Sequence, residues 1–199
     1  MLYLGLDLGQ RRDHSAIAVV DRIEMRRAYQ GVVGHQIEVR HLERIALGTP
    51  YPAVVERVAE VLRRAGQSVL VVDATGVGAP VVDLLRSARL GCEIAAVTIT
   101  GGEKETQSGA MWNVPKRDLM AGLQVLLERG ELKIAGRMKE TGALVRELMD
   151  VRLMKQGATG RVRMGAEGCG EHDDLVIALA LACWRAKRPQ IGFGERRLL

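Results

Sequence analysis

Apolar and polar positions change rhythm along the chain, and the changes mark its elements. Leu2 to Leu8 is an apolar run broken only by Gly5 and Asp7, which predicts a buried strand. Gly9 to Asp13 is a polar turn. Ser15 to Asp21 predicts a second strand, folded back on the first as a hairpin. From Ala28 to Leu47 polar residues alternate with apolar ones around Ile37, Val39 and Leu42, which makes a third strand and completes an antiparallel meander.

After Gly48-Thr49-Pro50 the period becomes helical. Val54, Val55, Val58, Val61 and Leu62 define one apolar face, and Gly66 ends the helix. Ser68 to Val72 is Val-rich and apolar on both faces, as a central strand should be. It runs into the glycine-rich turn Asp73 to Gly78. A helix over Pro80 to Ala88 and a strand over Ile94 to Ile99 follow. These β-α-β units predict parallel strands beside the meander, so the fold class is α/β with a mixed sheet flanked by helices.

Gly101 to Asn113 is polar and reads as a loop. Pro115 opens an amphipathic helix through Leu119, Leu123, Leu126 and Leu127, closed by Gly130. A short extended piece at Leu132 to Ala135 precedes a helix over Met138 to Asp150. Val151 to Met164 contains a hairpin around Gln156 to Gly160. Gly165 to Glu171 is a glycine-rich loop, and His172 to Ala186 is a helix apolar on nearly every side. Residues 1–186 are read as one domain, and residues 187–199 as a tail that frays.

Composition narrows the function. The chain has 199 residues and a formal net charge of +5, which favours an anionic partner, nucleic acid first. Aromatic residues are only 3%, too few for a reader that stacks bases on aromatic platforms. The three cysteines are far apart and form no disulfide framework. No zinc-ligand pattern is complete. The longest apolar stretch, Leu175 to Trp184, is about half of a membrane span, and the N-terminus has no signal-peptide pattern. A soluble, cytoplasmic protein without a membrane partner is expected.

The informative residues are acids in apolar surroundings. Asp7 lies between Leu6 and Leu8, Asp73 ends a strand, and Asp173 and Asp174 open the most apolar helix. Each has a plain alternative: Asp73 as a turn former, Asp173 or Asp174 as a cap. Asp7 resists such an account, because strand interiors disfavour Asp. If the strand at 68–72 lies beside the first strand, Asp7 and Asp73 end up side by side, and the last helix can bring an acid over the same edge. Converging carboxylates repel. An oxygen-only set with little His or Cys suits hard divalent cations, Mg²⁺ or Mn²⁺.

The segments LGLDLGQRRDHSAIAVVD, VVDATGVGAPVVDLL, VPKRDLMAGLQVLLERGELKI and EHDDLVIALALACW, in this order, resemble the motifs of the nuclease domain of phage large terminase subunits. The resemblance spans Leu2 to Trp184. It implies an RNase H-like fold and a two-metal endonuclease that cuts double-stranded viral DNA during packaging. The implied metal-binding and catalytic residues are Asp7, Asp73 and Asp174 or Asp173. Many relatives carry a further acid three residues after the second acid of this pair. This chain has Ile177 there, which leaves the choice within the pair open. The implied partners are double-stranded DNA, an ATPase motor, the small terminase and the portal, in the cytoplasm of an infected or prophage-carrying cell.

No GxxxxGK[ST] phosphate loop occurs, so the chain carries no ATP site of its own. The reading is an isolated nuclease half or a stand-alone relative. Within the acid pair, Asp174 shares a helix face with Ala178, and Asp173 with the bulkier Ile177. The smaller residue permits closer approach to the sheet, which favours Asp174 as the ligand. His172 is a candidate to order water or contact phosphate, or simply a helix cap. Arg11, Arg12, Lys116, Arg117, Lys155, Arg161 and Arg163 are candidate phosphate contacts. A junction-resolving nuclease of the same fold, and a non-catalytic DNA-binding or assembly module, are the alternatives.

Overall fold

The computed structural model describes residues 1–9, 13–27, 31–76, 78–150, 152–156, 161–165 and 173–188. Its elements, in chain order, begin with β1 (Leu2–Asp7), β2 (Ala16–Arg27) and β3 (Gly31–Arg44). Then come α1 (Tyr51–Ala65), β4 (Ser68–Asp73), α2 (Gly78–Ser87) and β5 (Glu93–Thr100). Next are β6 (Thr106–Ser108), β7 (Met111–Pro115), α3 (Lys116–Glu128), β8 (Leu132–Ile134) and α4 (Thr141–Asp150). The chain continues with β9 (Arg152–Gln156), β10 (Arg161–Gly165) and α5 (Asp174–Ala186).

Eight strands form one mixed sheet in the order β6-β7-β5-β4-β1-β2-β3-β8. The antiparallel meander β1-β2-β3 is present, and β1, β4, β5 and β7 run parallel. Strands β9 and β10 pair antiparallel as a separate hairpin.

Two expectations need correction. Residues 101–113 are not all loop: β6 and β7 form an edge hairpin there, whose residues up to Asn113 stay largely exposed, so no apolar alternation announces it. The second strand does not stop at Asp21 but continues to Arg27, opposite β3 back to Gly31. Past the core, this ribbon is held by strand pairing rather than by burial.

Alternation along the central strands divides the core. Leu4, Leu6, Leu70 and Val72 face the layer of α1 and α2. Tyr3, Ala16, Ala18, Val69 and Val71 face α3, α4 and α5. Every residue of α5 is buried, so this helix is the centre of the second layer. At about 1.5–3 kcal/mol for each large apolar side chain buried, Leu175, Leu179 and Leu181 alone hold it firmly in the core.

The approach of α5 to β1 is very close. A Cβ on Gly5 would stand 1.9 Å from the carbonyl oxygen of Ala178 and 2.9 Å from the amide nitrogen of Ala182. Glycine on the strand and alanine on the helix let two backbones meet. Polar ties hold both ends of α5. The Val176 N–H donates to the Glu147 carboxylate at 3.0 Å. The Arg22 guanidinium donates to the carbonyls of Ala186 and Arg188, each at 3.1 Å. An acid at the amino end and a base at the carboxyl end both suit the helix dipole. Arg188 also stacks on Trp184, 3.9 Å from its ring centre.

Candidate metal centre

Asp7 shares the alternation of Tyr3 and Gly5, and Asp73 that of Val69 and Val71, so both belong to the α5 side of the sheet. The last registered pair between β1 and β4 is Leu6 with Val72. Asp7 and Asp73 are therefore the next residues on adjacent parallel strands. The start of α5 lies over the same edge, and one open cleft of about 550 Å³ is lined by Asp7, Asp73, Asp173, Asp174 and Lys116. Asp13, Thr75 and Ile177 also line it.

Each acid is held differently. The Asp7 pKa is raised well above its ordinary value, by burial first and then by the charges of Asp73, Asp174 and Asp173. The Asp73 pKa is also raised by burial, although its carboxylate accepts the Thr75 N–H at 2.7 Å. That turn is fixed in its place because the Thr75 hydroxyl oxygen accepts the Ile99 N–H at 2.7 Å. Asp174 is 3% exposed, and the Arg44 Nε lies 3.9 Å from its Oδ2. Asp173 is about one-third exposed and pairs with the Lys116 ammonium at 2.6 Å.

Among the described residues, no three His, Cys, Asp or Glu side chains are gathered into a ready metal cage. The donor set nevertheless suits a hard cation. It consists of carboxylate oxygens, and neither His nor Cys is among the described lining residues. Burial and mutual repulsion raise the cost of ionising Asp7, and a divalent cation lowers that cost.

The sequence-predicted residues are not all in one place. Asp7, Asp73, Asp173 and Asp174 share the cleft, and Lys116, expected on a phosphate-binding surface, lies inside it against Asp173. Arg117 donates to the Glu103 carbonyl at 2.7 Å and lies beside Asp118. Lys155 is registered with Val162 on the β9–β10 hairpin, and Arg161 and Arg163 with Gln156 and Met154. Arg11, Arg12 and His172 lie outside the described residues, as do residues 189–199.

Two residues with no sequence signal stand behind the cleft. Glu147 of α4 is 6% exposed, accepts the Val176 N–H, and pairs with Arg44 at the end of β3. Burial pushes its pKa up to about 7, against the lowering effect of Val176 and Arg44.

No protein-family model and no curated protein matches the chain by sequence. In three dimensions the fold is RNase H-like, with the mixed sheet flanked by helices. More narrowly, it is the fold of large terminase nuclease domains. The nuclease of thermophilic phage G20c with bound magnesium is similar at a TM-score of 0.69 and 24% identity, over 93% of this chain and 81% of that one. The nuclease domain from bacterial virus Sf6 gives 0.64 and 15%, over 92% and 87%. The domain from bacteriophage SPP1 with bound manganese gives 0.55 and 14%, over 92% and 85%. Among the described residues, no helix is long and apolar enough to cross a membrane.

Proposed function

We propose that this chain is a metal-dependent endonuclease of the terminase type, hydrolysing phosphodiester bonds of double-stranded DNA. The observation that carries the proposal is the convergence of Asp7, Asp73 and Asp174 from two adjacent strand ends and one helix start. That convergence occurs in a fold shared with nuclease domains crystallised with magnesium, cobalt, zinc or manganese.

Two divalent cations, Mg²⁺ or Mn²⁺, would supply Lewis acidity at the attacking water and at the leaving 3′-oxygen. Asp7, whose ionisation the other acids oppose, would help to hold both. Asp73 would hold one and Asp174 the other. Asp73 is pre-oriented for this by the Thr75 N–H, and Asp174 by its place in the first turn of a fully buried helix. Asp173, held by Lys116, orders the rim of the cleft and keeps a cationic group where a phosphate arrives. Lys155, Arg161, Arg163, Arg11, Arg12 and Arg117 serve as sequence-independent phosphate contacts. By the same reading the chain works with an ATPase motor, the small terminase and the portal, in the cytoplasm of the host cell.

The test is incubation of supercoiled plasmid with the protein in Mn²⁺, Mg²⁺ or EDTA. Conversion to open-circle and linear DNA in either metal, and none in EDTA, supports the endonuclease. Plasmid binding without cleavage in any metal would instead indicate a non-catalytic DNA-binding module.

A further inference from the structure

Glu147 is the one acid on the buried side of α4, and the nearby core residue Leu144 is wholly inside. A buried carboxylate is costly unless its oxygens are engaged. Here both are. Oε1 pairs with the Arg44 guanidinium, and Oε2 accepts the Val176 N–H at 3.0 Å. Val176 is the third residue of α5, so its N–H is one of the four that a helix start leaves without an intrahelical acceptor. The Asp173 side chain, which occupies the N-cap position, makes no capping hydrogen bond. Glu147 supplies one from a different helix.

Both ties of Glu147 lead to the same turn. Val176 is two residues after Asp174, and Arg44 places its Nε 3.9 Å from Asp174 Oδ2. The apolar side chains of α5 set its depth against the sheet, and the ties of Arg22 and of Arg185 with Glu93 lie at its carboxyl end, about three turns from Asp174. A buried ion pair is a weak source of stability, and its better-attested benefit is a defined geometry. We propose that Glu147, acting with Arg44, is a positioning residue that fixes the rotation of the first turn of α5 and so aims Asp174 into the cleft. This rests on the reading of Asp174 as a metal ligand.

The test measures Mn²⁺ affinity by calorimetry, together with plasmid nicking as a function of Mn²⁺ concentration. It compares the full chain with Glu147→Ala, Glu147→Gln and Glu147→Asp, with a thermal melt of each. Glu147→Ala should weaken Mn²⁺ binding at least tenfold and raise the Mn²⁺ needed for half-maximal nicking by the same factor. The apparent KM for DNA should stay within about twofold. Glu147→Gln keeps an acceptor for the Val176 N–H and should recover most of the loss, although it lacks the charge. Glu147→Asp keeps the charge but not the reach, and should behave like Glu147→Ala; it also gives the answer if the alanine variant does not fold.

Equal Mn²⁺ affinity in wild type, Glu147→Ala and Glu147→Asp would overturn the positioning role, whatever their melting temperatures. Equal losses in Gln and Ala, with Asp unaffected, would show a charge effect only and also overturn it. A wild type that neither binds Mn²⁺ nor nicks plasmid would overturn the nuclease reading and this proposal together. A wild type that does both, with Asp174→Asn inactive, leaves a negative Glu147 result to count against the positioning role alone.

Discussion

Gly5 of β1 and Ala178 of α5 meet backbone to backbone, so closely that a Cβ at position 5 would fall 1.9 Å from the Ala178 carbonyl oxygen. Asp7 lies two residues beyond Gly5 on the same face of its strand, and Asp174 lies one helical turn before Ala178. The contact therefore sets the spacing of the cleft as well as the packing of the core.

Gly5→Ala should push α5 off the sheet. Overpacking of this kind costs about 1–3 kcal/mol, which lowers the Tm of a chain of this size by several degrees. Calorimetry on the folded variant should also find weaker Mn²⁺ binding, because Asp174 moves with the helix. A Gly5→Ala protein that melts and binds Mn²⁺ like wild type would contradict this account of the close approach.

Asp173 and Asp174 should separate in function. Asp173 is already neutralised by Lys116 at 2.6 Å, whereas Asp174 is buried beside the other acids. Asp174→Asn should abolish Mn²⁺ binding in calorimetry, and Asp173→Asn should change it by only a few fold. The opposite ranking would make Asp173 the ligand and leave Asp174 as a structural acid.

Much of this was legible in the residues. Asp7 interrupts an apolar strand, where chance seldom leaves a carboxylate, and the β-α-β pattern after Pro50 predicted parallel strands, whose order with β4 beside β1 the sheet supplies. The small residue at 178 predicted a close helix approach, and the matching glycine at position 5 completes it. Other features had no local signal. Met111 on β7 is 47% exposed, and edge strands that bury so little look like loop. Glu147 sits in an amphipathic helix where any single acid reads as surface, and only α5 and Arg44 around it reveal its burial. The pairing of Lys116 with Asp173 had no local signal either, because it joins residues 57 apart in sequence.

The metal-free protein should show the strain of its cleft as a pH dependence. The folded-state pKa of Asp7 lies above its ordinary value of 3.8. Its favourable contribution is therefore complete below that value and lost as pH rises through the folded-state pKa. Asp7→Asn removes this loss. In EDTA the variant should melt higher than wild type at pH 7, with the difference shrinking toward pH 4. A variant less stable than wild type at pH 7 would show that Asp7 is not destabilised by its neighbours.

Salt dependence tests the DNA surface. Each phosphate contact to duplex DNA contributes about −0.9 to the slope of log K against log[salt]. With about five contacts the slope should be about −4 to −5. Replacing Lys155, Arg161 and Arg163 together by serine should make it shallower by about 2.7. An unchanged slope would remove the β9–β10 hairpin from the DNA-binding surface.

The most direct measurement is the rate of plasmid nicking by Asp7→Asn in saturating Mn²⁺, beside wild type and an EDTA control. Asp7 is the acid whose ionisation the charges of Asp73, Asp174 and Asp173 all oppose, so it gains most from a bound cation. Its loss should slow cleavage by about a thousandfold, equal to about 4 kcal/mol of barrier, in a protein that still folds. Nicking by Asp7→Asn at a rate near that of wild type would contradict the assignment of this cleft as the catalytic centre.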